Sequence, residues 1–60
     1  MHDYRCQYEQ AIASYDDALR MDPECAEAWF DKAITLNKME KHTEATICVA
    51  RAVDLYRRIR

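Results

Sequence analysis

WFDKAITLNKMEKHTEATICVARA, residues 29–52, decides the fold of this chain. Trp29, Ala33 and Leu36 fall at i, i+4 and i+7, and Ala45, Val49 and Ala52 repeat the same spacing, so each trio lies on one face of a helix. Between them, Asn37 to Thr43 is mostly polar and interrupts the apolar face. Working outward, Ala11, Ala18 and Leu19 recur 34 residues later as Ala45, Ala52 and Val53, with Pro23 between the two copies. A fixed period of that length marks a repeated helix-turn-helix unit.

Three helices follow from the spacing. Tyr8, Ala11, Ile12, Tyr15, Ala18 and Leu19 share one side of a segment spanning residues 7–21, with Glu9, Gln10, Asp16, Asp17 and Arg20 opposite. Asp22-Pro23-Glu24 stops it, because proline cannot continue a helix but suits the first position of a new one. Asp22 is the expected N-cap of the second helix, residues 24–38, with Glu24 and Glu27 favouring its positive end. That helix offers Trp29, Ala33 and Leu36 on one stripe and Phe30 and Ile34 on the adjoining one. The third, residues 43–59, carries Ala45, Cys48, Val49, Ala52, Val53, Tyr56 and Ile59 on a single expected face.

Tyr8, Ala11, Tyr15, Ala18 and Pro23 fit the closing half of one unit, and Trp29, Ala33, Leu36, Ala45, Val49 and Ala52 fit the whole of the next. In these positions the chain resembles the tetratricopeptide repeat family. The resemblance implies an all-α, three-helix array read as a single unit over 1–60. Within it, 1–22 are the second half of one repeat, 23–56 one full repeat and 57–60 a C-terminal extension. It also implies a scaffold that binds other proteins, and a concave face made by Glu27, Phe30, Asp31, Ile34, Asn37 and Lys38. Family members that clamp a carboxylate place Lys, Arg and Asn there, whereas Glu27 and Asp31 are acidic here. An apolar segment carrying Lys or Arg suits the face better.

Two departures matter. Lys32 stands where the family pattern has an apolar residue. The turn between the paired helices contains no glycine, and Glu40 occupies its usual place, at about 1–2 kcal/mol if it adopts a left-handed backbone. Since Lys, Met and Glu favour helix, one continuous helix from Glu24 to Arg60 in a domain-swapped dimer is the alternative. The 34-residue period favours the hairpin.

Composition limits the rest. Glycine is absent and proline occurs once among 60 residues, which suits a helical protein. A chain of this length buries only about 60% of the surface that it exposes unfolded. The opening helix of the first unit has no counterpart, leaving Tyr4, Tyr8 and Ile12 facing an empty side. Self-association, with a dimer as the simplest form, is therefore expected. Residues 1–31 carry eight acids and two bases, and residues 32–60 seven bases and three acids, a polarity suited to self-association or to a partner of mixed charge. No apolar run reaches the roughly 18 residues of a membrane span, and residues 1–8 are too polar for a signal peptide, so the expected location is the cytoplasm.

No chemistry of catalysis stands out, and the chain is not expected to be an enzyme or to hold a cofactor. His2 and His42 are the only imidazoles, and no phosphate-binding glycine loop exists. Asp16 and Asp17 read as surface charges. Cys6, Cys25 and Cys48 form no Cys-x-x-Cys pair, and His42 and Cys48 lie on different faces, so no metal site is expected within one chain. Two other readings remain at this stage. One is a nucleic-acid binder using Lys38, Lys41, Arg51, Arg57, Arg58 and Arg60, which lack interleaved aromatic residues. The other is a metal protein whose Cys and His residues meet across chains.

Overall fold

The computed structural model describes residues 5–58, as three helices in sequence: α1 (Arg5–Met21), α2 (Ala26–Lys38) and α3 (His42–Arg58). No strand occurs among the described residues. α1 packs against α2, and α2 against α3, so α2 is the central element. Tyr4 and Ile59, both expected on apolar faces, lie outside the described residues.

The α1–α2 junction is a turn of four residues. Asp22 N–H still donates to the Ala18 carbonyl at 2.8 Å, and Cys25 N–H then closes back on the Asp22 carbonyl at 3.1 Å. The Asp22 carboxylate accepts from Glu24 N–H at 3.2 Å. Asp22 is therefore not the N-cap of α2, and Pro23 is not its first residue. Cys25 is the N-cap, without a side-chain hydrogen bond, and α2 opens at Ala26 with Trp29 N–H donating to the Cys25 carbonyl at 3.2 Å. The fixed φ of proline serves the second position of a β-turn as well as the first of a helix, and here the turn wins. Trp29 holds the result in place, its Nε1–H donating to the Pro23 carbonyl at 2.9 Å.

At the other junction the chain turns, which excludes the continuous helix. Lys41 N–H donates to the Leu36 carbonyl at 2.9 Å and Glu40 N–H to the Asn37 carbonyl at 3.0 Å. That pairing is a Schellman motif. It requires a left-handed residue at Glu40, whose φ is 64°. α3 then starts with Ala45 N–H donating to the Lys41 carbonyl at 3.0 Å.

Ala33, Leu36, Ala45 and Cys48 form the core between α2 and α3, with Ile12 and Trp29 packed against them. Three of those six side chains are small, which lets the helices approach closely. Ile12 thus reaches the core instead of facing an empty side. Ala52 is fully buried against α2, whereas Ala18, 34 residues earlier, is exposed. Tyr15 and Trp29 are half-buried. On α3 the expected stripe splits. Ala45, Cys48 and Ala52 are buried, and Leu55 joins them, but Val49, Val53 and Tyr56 are exposed. The stripe is broader than the arc one neighbouring helix can cover at about 100° per residue, so half of it has no partner among the described residues.

Candidate protein-interaction face

Lys32 shows which side of α2 is occupied. Its Nζ lies 2.5 Å from Asp16 Oδ1 on α1 and 5.8 Å from the centroid of the Trp29 ring. Asp16 is half-buried in this contact and is not a plain surface charge. Ile34 is two residues further on, about 200° around the helix. It therefore faces away from α1.

The side turned away from α1 holds the residues expected on the concave face. Phe30 and Ile34 are 44% and 42% exposed, and Glu27, Asp31, Asn37 and Lys38 are exposed around them. α3 extends this surface. A groove of about 380 Å³ runs between the two helices, and its lining brings Ile34 and Asn37 together with His42, Thr46 and Val49. His42 Nδ1 and Asn37 Oδ1 are 2.7 Å apart, tying the start of α3 to the end of α2. Val53 and Tyr56, 45% and 48% exposed, continue from Val49 at i+4 and i+7. The contribution of α3 was missed in reading α2 alone. The hairpin register could have revealed it, because the turn at Glu40 sets Ala33 opposite Ala45 and so brings Ile34 beside Thr46 and Val49.

The rim is charged. Glu27 lies three residues before Phe30, Lys38 four after Ile34 and Arg57 four after Val53, so each borders the apolar surface. The ion pairs among the described residues are Arg20–Asp17, Lys32–Asp16 and Arg58–Asp54. Glu27, Asp31, Lys38 and Arg57 enter none of them.

The remaining candidate groups do not converge. Cys48 lies in the core, where burial pushes its thiol above the ordinary value and the Lys32 charge pulls it partly back. A thiol held protonated is a poor nucleophile and a poor metal ligand. His42 is exposed beside the groove. Among the described residues no three His, Cys, Asp or Glu side chains cluster as metal ligands would. The buried Thr35 hydroxyl is satisfied by the Asp31 carbonyl at 3.1 Å. No described helix is long and apolar enough to cross a membrane.

Comparison with known proteins places this geometry. The family model of the tetratricopeptide repeat matches residues 7–25 and 26–58. No curated protein and no solved structure shows significant similarity to the chain. Repeats of this kind generally mediate protein–protein interaction and are typically non-catalytic scaffolds. With the matched segments spanning nearly all of α1 and the whole α2–α3 hairpin, the chain belongs to the tetratricopeptide repeat family.

Proposed function

We propose that the chain is a non-catalytic interaction module that receives a protein segment on the face of Glu27, Phe30, Asp31, Ile34, Asn37 and Lys38. The supporting observation is the exposure of Phe30 and Ile34 on the side of α2 turned away from α1. Two large apolar side chains at the edge of a groove lower the free energy by being covered. Glu27 and Asp31 beside them favour a segment that pairs apolar residues with Lys or Arg. A second copy of the chain is among the partners that fit, and the cytoplasm is the compartment the reading assigns. Nucleic acid fits poorly. Lys38 and Lys41 lie at the α2–α3 turn, Arg51 midway along α3 and Arg57 and Arg58 at its far end, with Glu44 and Asp54 among them and Arg58 paired to Asp54, so acids break up the basic surface.

The test is a titration with a helical peptide carrying leucines on one side and lysines on its flanks, read by NMR at the Ile34 and Val49 methyl groups. Selective shifts at these methyls, lost in the Ile34→Lys variant, are expected. Shifts confined to α1, or none at millimolar peptide with the protein too dilute to pair with a second copy, would defeat the reading.

A further inference from the structure

The chain leaves more surface in water than its mass warrants. It exposes 4946 Å², against roughly 4,100 Å² for a compact folded chain of 7.1 kDa. Among the described residues no large side chain is fully buried. The smallest extent, 14 Å between Cα atoms, is the depth of two packed helices. Large apolar side chains are exposed mainly on one side. Phe30 and Ile34 of α2 and Val49, Val53 and Tyr56 of α3 form a contiguous apolar face flanking the groove, while Met21 and Ile47 stand apart from it.

The charges around this face are self-complementary. α2 and α3 run antiparallel, so the start of α2, with Glu27 and Asp31, lies at the same end as Arg57 near the close of α3. A two-fold axis parallel to the helices lays α2 of one copy across α3 of the other in opposite directions. Glu27 then comes beside the partner's Arg57, and the same contact recurs across the axis. It also sets the large Phe30 and Ile34 against the smaller Val49, Val53 and exposed Ala50. A face two helices wide and about four turns long offers on the order of 500–800 Å² per copy, within reach of the roughly 800 Å² that a stable pair uses.

We infer that a second copy of this chain is the occupant of this face, forming an isologous dimer in which α2 of each copy packs on α3 of the other and Glu27 meets Arg57. This rests on the α2 face being an interaction surface and adds the identity of the occupant and the inclusion of α3.

Sedimentation equilibrium from micromolar to millimolar protein tests it. The mass should double over that range for the native chain and stay that of one copy for Val53→Glu, with circular dichroism showing both equally helical. Glu27→Arg and Arg57→Glu should each weaken dimerisation by about five- to tenfold, and the two together should restore it, because the reversed charges meet across the axis. A single-copy mass at millimolar concentration overturns the dimer. So does a dimer indifferent to Val53→Glu, or one that the double reversal fails to restore. If the mass stays at one copy while the leucine–lysine peptide still shifts Ile34 and Val49, the dimer alone falls. If no peptide binds even to monomeric Val53→Glu at Ile34, the interaction reading of the α2 groove falls instead.

Discussion

Lys32 is the residue whose sequence context and structural role diverge most. The family pattern puts an apolar side chain there, and the sequence gives no hint of what an ammonium would do in its place. The structure answers with Asp16, sixteen residues away on α1 and within hydrogen-bond distance. A contact of that kind depends on how two helices are rotated against each other, which no spacing within one helix reveals. The two partners differ in burial, the Lys32 side chain being 21% exposed and that of Asp16 45%. Removing the buried partner's counter-charge should therefore hurt more than removing the buried charge itself. Asp16→Ala strands a half-desolvated ammonium and should cost about 1–2 kcal/mol. Lys32→Leu leaves a carboxylate that water can still reach and adds apolar contact with Trp29, so stability should hold or rise by up to about 1 kcal/mol. Urea denaturation of the two variants checks the asymmetry, and equal losses would mean that the ion pair itself is the stabilising term.

At the scale of elements, the two junctions differ in how far they could be read. The helices themselves were legible, because the spacing of Trp29, Ala33, Leu36 and of Ala45, Ala52 marks which side of each is buried. The turn at Asn37 to Thr43 was legible in part, since the 34-residue period favours it over a continuous helix, and Glu40, in the usual place of the missing glycine, does hold the left-handed position. The start of α2 was not. Asp22 and Pro23 are compatible with a cap and with a β-turn, and the choice depends on the Trp29 indole reaching the Pro23 carbonyl. The candidate face was half legible for a related reason. Phe30 and Ile34 could be placed from α2 alone, but Val49, Val53 and Tyr56 looked like core until α2 was seen to be the one helix covering α3 among the described residues. Glu40 offers the clean test of the hairpin. Glycine there removes a left-handed penalty of about 1–2 kcal/mol and returns part of it as backbone entropy in the unfolded chain. Glu40→Gly should raise stability by about 0.5–1 kcal/mol in thermal or urea unfolding. In a continuous helix the same change would lower it by about 1 kcal/mol, so a fall in melting temperature would contradict the turn.

For the molecule as a whole, the decisive fact is that a core two helices deep must be closed by side chains at its edges. Trp29 does this more than any other residue. Its ring packs on the cluster of Ala33, Leu36, Ala45 and Cys48, its N–H fixes the α1–α2 turn, and Lys32 approaches its face. A folded chain of this size holds roughly 3–9 kcal/mol by the usual range per residue, and one with no large side chain fully buried belongs at the lower end. Trp29→Ala should remove about 3 kcal/mol, the low end for loss of a large aromatic because the ring is only half-buried. Little or no folded population should then remain at micromolar concentration. Trp29→Phe keeps most of the apolar contact and loses the hydrogen bond to Pro23, about 1 kcal/mol, so it should stay helical with a lower urea midpoint. Circular dichroism of the pair distinguishes ring packing from the turn contact. Full helicity in both variants would show that the chain is held together elsewhere, by association across the α2–α3 face rather than by its own core. In that case the melting temperature of Trp29→Ala should climb steeply with protein concentration.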